Sequence, residues 1–466
     1  MTPLPRWARA LDAIALLCLA LAGSVLIGGS LRAWFLVGRV SVTGAERPLV
    51  VAVLALLVRH GLRRHPVLPV ALWHGVAAWW RDPATRAALP IFVATRAGVM
   101  AIGLLAIIAF GYASPDGPPY RLYESDALNL PARWDAGWYI GIAIGGYEFA
   151  PDRWQLQQNI AFFPGYPMAI RYARLFLAGQ TLWAGVAVSL VAFFAALVYL
   201  YRLARTLMDE ERANLALALA SAYPFAVFYS APYSEGLFLL ASVAAWYHFR
   251  EDRLVPAAVW GLLAGLSRPN GAFLSVPFAL MVIWPLVTSG AASHGAGGRR
   301  RLADRLAVAA MPGLGMLVYS AFVFDLTGDW FAWAKLHGAW GRAYQGLDTL
   351  VARELASFAT AGLYGVMSTR LTDFLNLLGV LFALGCTWGV WRRLGAPMAV
   401  YIVITVLPPL ANGGLLSMGR VTSILFPCFL WLAATLPPTH RSAWVIGFAA
   451  LQAFVAALFF TWRPLF

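Results

Sequence analysis

Charge is scarce in this chain. Of its 466 residues, 12% are Asp, Glu, Lys or Arg, and 61% are hydrophobic. Soluble domains hold about 25% charged residues and roughly 45–50% apolar ones, so a soluble globular protein is excluded. Lysine is almost missing: Lys335 stands alone, and every other basic side chain is arginine or histidine. Cysteine is rare too. Cys18, Cys386 and Cys428 each sit in an apolar run at no metal-binding or disulfide spacing, so they read as small packing residues. No Gly-rich phosphate loop occurs, which removes the usual nucleotide site. No internal repeat is visible, although many carriers are built from repeated halves.

What remains is an integral membrane protein. A span needs roughly 20 apolar residues, with about 17 as a floor. Candidate spans fall at 11–31, 48–58, 90–111, 181–200, 213–229, 233–249, 255–267, 271–288, 306–324, 372–391, 398–411, 422–435 and 443–460. The fold class expected is therefore all-α, a polytopic bundle of about 13 transmembrane helices. Several runs are short or broken by Pro and Gly, which membrane proteins tolerate where backbone is buried or lines a cavity. The first run follows Arg6 and Arg9 and is too long for the apolar part of a signal peptide, so it reads as a retained span.

The net charge of +14 reports orientation rather than nucleic acid. With the N-terminus inside, more than half of the arginines fall in cytoplasmic segments, including the runs "RHGLRRH" and "GRRRLADR". Segments 112–180 and 325–371 then lie on the exoplasmic face, which in a bacterial inner membrane is the periplasm. Long connections are usually functional, and these two carry most of the acids.

Six strings stand out. "RWDAGWY" places Asp135 among aromatics near a helix start. It reads either as an N-cap acid on an interfacial helix or as a partly desolvated general base. "NIAFFPGYPM" is a rigid turn followed by Arg171. "AYPFAVFYSAPYSEGLFLL" holds Tyr233, Ser234 and Glu235, with Glu235 the only acid of a tight external connection. A carboxylate in a first helical turn is favoured by the dipole alone. "GLLAGLSRPNGAFL" sets Arg268 and Asn270 in a short outer turn. An arginine there goes against the sidedness preference, and a planar guanidinium suits phosphate, although snorkelling would also explain it. "TGDWFAWAKLHGAWGRAY" contains His337 and Arg342, with no second His or Cys at ligand spacing. "LLSMGRVTSILFP" puts Arg420 at the outer end of a span.

Taken in order, these strings resemble the PIG-V-like family, over about residues 90–435. Its eukaryotic members are the GPI-anchor second mannosyltransferases, of the GT-C class of polytopic glycosyltransferases. The resemblance implies a GT-C-like domain at 90–466, with residues 1–89 an N-terminal extension of two spans and a basic loop. It implies a polyprenyl-phosphate-sugar donor, typically mannose, and inverting transfer to a glycan or glycolipid hydroxyl on the exoplasmic face. The family's essential acid matches Asp135. Arg268, Arg420 and Arg171 would then hold the donor phosphate. Arg133, Trp134, Trp138, Tyr139, Tyr233, Ser234, Glu235, Asn270 and His337 would contact substrate. No metal and no cofactor are expected, and a small membrane partner subunit is among the partners implied. The bacterial relatives more often carry Gln where His337 stands, which bears on the acceptor. A flippase or transporter of lipid-linked sugars, and a non-catalytic scaffold, are the competing classes. The former would need charges spread through the spans, where Arg96 is the clear case.

Overall fold

A computed structural model describes residues 5–28, 31–35, 38–42, 44–62, 68–289 and 296–465. Arg63 and Arg64 of the "RHGLRRH" run lie outside the described residues. The protein is a helical, multi-pass membrane protein. One antiparallel hairpin, Leu31–Phe35 with Gly38–Val42, departs from the all-α expectation and joins the two helices of the N-terminal extension.

Among the described residues, seven helices are long and apolar enough to cross a membrane: Pro83–Phe110, Thr181–Arg205, Pro269–Leu286, Gly298–Thr327, Leu371–Leu394, Ala396–Gly413 and Pro438–Phe460. An eighth is reached if Glu210–Ala222 and Pro224–Ser230, bent by 78°, count as one. The sequence expectation was about 13. Most of the remaining apolar runs form shorter helices: Ala10–Leu26, Leu254–Ser267 and Phe426–Thr435. Run 233–249 becomes the 16-residue helix Glu235–Arg250, which is buried on nearly every side. A helix apolar all round belongs in a core, and this one packs against Thr181–Arg205 and Leu254–Ser267. The segments 112–180 and 325–371 are not open loops. They contain the short helices Ala136–Gly145 and Gly165–Ala173 and the 23-residue helix Leu347–Thr369, which is kinked at Gly362.

Local chemistry sets several boundaries. Asp82 accepts from the Thr85 N–H at 3.2 Å and Pro83 takes the first helical turn, so the Pro83–Phe110 span starts there. Asp209 caps the Glu210–Ala222 helix by accepting from the Arg212 N–H at 2.9 Å. Gly265 and Gly315 let the Leu254–Ser267 and Ala296–Thr327 helices touch: a Cβ at Gly265 would stand 1.9 Å from the Pro312 carbonyl oxygen. Small residues at such crossings are how membrane helices approach.

Arg96, the one clear mid-span charge, is fully used by structure. Its guanidinium donates to Ala226 O at 2.6 Å, Ser221 O at 2.8 Å and Ser230 Oγ at 3.1 Å. The sharp bend at Tyr223–Pro224 leaves carbonyls without helical partners, and Arg96 satisfies them together with Gln452, which donates to Ser221 O and Tyr223 O. The charge therefore serves the bend, which removes the main argument for an ion or substrate path through the spans.

In the N-terminal extension, helices Arg6–Gly28 and Glu46–Leu62 pack together through a buried Asp12–Arg59 ion pair at 2.9 Å. The extension also touches segment 112–180, where the Ala178 N–H donates to Ser24 Oγ at 2.7 Å. Glu46–Leu62 does not pass as a span by length and composition.

Candidate active site

Asp135 precedes the Ala136–Gly145 helix, in the N-cap position, yet its side chain makes no capping bond. The N-cap reading therefore fails on geometry. The backbone is held elsewhere: the Asp135 N–H donates to Tyr233 Oη at 3.0 Å, and Tyr233 Oη donates to Arg133 O at 3.3 Å. Freed from capping, the carboxylate reaches Arg420, with Asp135 Oδ2 2.5 Å from Arg420 Nη1.

Arg420 comes from the short Met418–Ser423 helix. Its Nε donates to Glu235 Oε1 at 2.8 Å, and the same oxygen accepts from Arg268 Nη1. Glu235 opens the central helix and is completely buried. Arg268 leaves the Leu254–Ser267 helix in extended conformation, just before the Pro269–Leu274 turn. Gly271 closes that turn by donating to Arg268 O at 2.9 Å. It must be glycine, because a Cβ there would lie 2.0 Å from Ala264 O. Four residues from four sequence strings thus form one row, Asp135–Arg420–Glu235–Arg268, with alternating charge. The Arg420 guanidinium also lies over the Tyr233 ring, 4.7 Å from its centroid. Such burial is tolerated because each charge has an opposite neighbour.

Three members of the row, Asp135, Arg420 and Arg268, line a cavity of about 520 Å³, within the size range of small-molecule sites. Trp134, Asp135, Trp138, Tyr139, Ser234, Arg268, His337 and Arg420 all line it. Tyr139 Oη and Ser234 Oγ hydrogen-bond at 3.0 Å. Trp138 stacks on Phe162 with centroids 5.7 Å apart and meets Trp340 edge-on, which builds an aromatic wall. The half-buried His337 imidazole is pushed down to about 4 by burial and by the Arg342 and Arg268 charges, so at neutral pH it is uncharged.

Other expected ligands lie elsewhere. Arg171 is buried and donates to Ala143 O and Ile142 O, both at 2.9 Å. Those carbonyls lie at the end of the Ala136–Gly145 helix, where Ile142 O also accepts the Gly146 N–H at 2.9 Å, so Arg171 works as a C-terminal cap and does not line the cavity. Arg133 is fully buried and donates to Phe460 O at 2.7 Å and Asn129 O at 2.7 Å, which anchors the loop behind Asp135. Tyr233 and Asn270 are buried behind the lining. Glu235 acts through its two arginines and does not line the cavity.

Sequence reasoning did not assign Arg342, Trp340, Leu416, Ser417, Phe162 or Trp462 to the site, yet all line the cavity. Arg342 and Trp340 lay within a string already singled out. Trp462 had no local signal: it follows the last span and reaches the cavity because Ala113 and Arg133 tie residues 460 and 461 to segment 112–180. It packs on Trp134 with centroids 5.0 Å apart. Among the described residues, non-glycine residues with left-handed backbone are Trp134, Ala178, Asp252, Ser417 and Trp462. Three of these five line the cavity. Such conformations cost about 1–3 kcal/mol each and gather where geometry is enforced for function.

The sequence profile described as Mannosyltransferase (PIG-V) matches residues 121–286. That stretch carries Asp135, Glu235 and Arg268. Over this segment the chain is similar to the PIG-V mannosyltransferases. GPI alpha-1,6-mannosyltransferase 2 of Homo sapiens is 28% identical over 222 residues, 43% of this chain and 43% of its own length. GPI mannosyltransferase 2 of Cryptococcus neoformans is 29% identical over 180 residues, 36% of this chain and 40% of its own. The chain thus spans less than half the length of these curated relatives. Among solved structures, the Archaeoglobus fulgidus oligosaccharyltransferase aligns over 78% of this chain and 53% of its own. The identity is 15% and the TM-score 0.36, too slight to bear on the fold.

Proposed function

We propose that this PIG-V-like chain is a membrane glycosyltransferase of GT-C type. It transfers a sugar, mannose on the family likeness, from a polyprenyl-phosphate-sugar donor to an acceptor hydroxyl at the exoplasmic surface. The observation that carries the reading is the Asp135 carboxylate at a cavity that also presents guanidinium groups.

The chemistry follows from that pairing. The acceptor oxygen attacks the anomeric carbon while the bond from that carbon to the phosphate oxygen breaks. The hydroxyl proton goes to Asp135, and the bonding electrons leave with the phosphate. One displacement inverts the anomeric centre. The leaving lipid phosphate is already anionic, so it needs cations rather than a proton donor. Arg420 sits well for this. As Asp135 is neutralised by the incoming proton, the Arg420 charge it balanced becomes available to the phosphate that has just gained charge. Arg268 backs it through Glu235, which keeps both guanidinia in place. Trp138, Phe162 and Trp340 offer faces to the sugar or the first isoprene units. The donor's own phosphate ester supplies the driving force, so no further cofactor is invoked.

The test is incubation of purified protein with a panel of polyprenyl-phosphate sugars and lipid or glycan acceptors, with products identified by mass spectrometry. Transfer from at least one such donor is expected. Activity with nucleotide sugars alone would overturn the donor class.

A further inference from the structure

The cavity holds one more positive charge than its carboxylates balance. Asp135, Arg420, Glu235 and Arg268 form a closed row of two negative and two positive groups. Arg342, on the second exoplasmic segment, lines the same cavity and enters no ion pair with the described residues. Among the described residues its guanidinium makes one hydrogen bond, a weak one from Nη2 to Leu416 O at 3.4 Å. Burial and the nearby Arg420 and Arg268 charges push its guanidinium down to about 10, against the pull of Asp135. A cation held partly out of water against two like charges is unfavourable unless an anion joins it. The backbone makes room for it: Gly413 has no side chain, and a Cβ there would stand 3.0 Å from Arg342 Nη1 and 3.2 Å from its Cγ.

We propose that Arg342 is the residue that grips the phosphate of the lipid-linked substrate and, after transfer, the departing lipid phosphate. This rests on the glycosyltransferase reading. The other cations are less free for the task. Arg420 spends Nε and Nη1 on carboxylates, and Arg268 spends Nη1 on Glu235. His337 is neutral and can offer a hydrogen bond but no charge. The charge count also fits the reaction. A phosphodiester donor carries one negative charge, equal to the surplus. The lipid monophosphate it becomes carries about −1.5 to −2 at neutral pH. The attraction to Arg342 therefore grows along the reaction, which lowers the barrier rather than merely tightening the ground state. The second exoplasmic segment thereby gains a catalytic role, since it brings Arg342 and His337 over a base supplied by the first.

The test measures binding separately from turnover. Protein in neutral-lipid nanodiscs is titrated with polyprenyl phosphate, uncharged polyprenol, inorganic phosphate and phosphatidylglycerol, and occupancy is read by native mass spectrometry. Arg342→Gln is expected to weaken polyprenyl phosphate about tenfold to a hundredfold, the usual worth of a hydrogen bond to a charged group. Polyprenol binding should not change. Arg342→Lys should recover part of the loss. In transfer assays, kcat should fall by more than KM rises. Should Arg342→Gln fail to fold, Gly413→Ala displaces the guanidinium while keeping it, and the same loss is expected. Unchanged polyprenyl phosphate binding in folded Arg342→Gln overturns the proposal. So does a loss confined to inorganic phosphate or phosphatidylglycerol. If wild type transfers no sugar from any donor yet loses lipid-phosphate binding with Arg342→Gln, the reaction reading fails and the phosphate site stands.

Discussion

Replacing Asp135 by Asn is the most direct perturbation of the site. The amide keeps an oxygen that can accept from Arg420 Nη1, now 2.5 Å from the carboxylate. It leaves the Asp135 N–H to Tyr233 Oη bond untouched, because that bond is to the backbone. Arg420 keeps Glu235 as its ionic partner. The fold should therefore survive, whereas an Ala at the same place would leave Arg420 Nη1 without this acceptor. What Asn cannot do is take the acceptor proton. Positioned general bases contribute about 10²–10⁴-fold, so a loss of that size is expected, roughly 3–5 kcal/mol of barrier. A second effect adds to it. With the 135 position permanently neutral, Arg420 loses the charge exchange by which it turns toward the leaving phosphate. The assay is product formation from a saturating polyprenyl-phosphate sugar, with thermal unfolding as a control. Activity within threefold of wild type in a variant that melts normally would refute the assignment of Asp135 as base.

Further outcomes follow from the same geometry. Glu235→Gln removes the carboxylate between two guanidinia at a completely buried position, so a loss of about 3–5 kcal/mol in stability is expected; a melting temperature equal to wild type would count against the row. Gly419→Ala drives a methyl to 2.1 Å from the Phe225 ring, next to Arg420. An overpacking cost of about 1–3 kcal/mol should appear together with reduced transfer, and normal activity would mean that the Met418–Ser423 helix adjusts freely. His337 has its pKa lowered from 6.5 to about 4, chiefly by burial, with Arg342 and Arg268 adding to it. The unfolded chain therefore takes up that proton first, so stability falls as pH drops from 6.5 toward 4. In His337→Asn that part of the acid sensitivity should be absent, as read by melting temperature across the same range.

Residues differ in how far local sequence revealed them. Glu235 was conspicuous as the only acid in what was read as a tight connection between spans, and Arg268 as a cation against the sidedness preference. The structure makes them partners. Arg420 was visible at the end of an apolar run, but its allotment to Asp135 and Glu235 was not, since the partners are 285 and 185 positions away. Asp135 satisfied the sequence rule for an N-cap and does not cap. Local propensity lost there to a long-range ion pair. Arg171 erred in the opposite direction: a candidate phosphate ligand by type, it is spent on two helix-end carbonyls. Ser417 lay in a string already singled out without being assigned a role, and Trp462 had no signal at all, because its place depends on how the end of the chain's last helix packs against segment 112–180.

Composition and spacing were enough to decide that the chain lives in a membrane, that its apolar runs are helical and which strings carry unusual charge. Those properties follow from transfer of each apolar run out of water and from hydrogen bonds within a few residues. The number of full spans was not decided that way, because an apolar run of 13 or 16 residues is equally suited to a buried core helix, and only packing distinguishes them. The charge row was not either. Its members are worth keeping only when burial brings them to within 3 Å of one another, and that distance is a property of the assembled bundle. The surplus charge of Arg342 became meaningful last, since it exists only once every other cation in the cavity has been seen to have its partner.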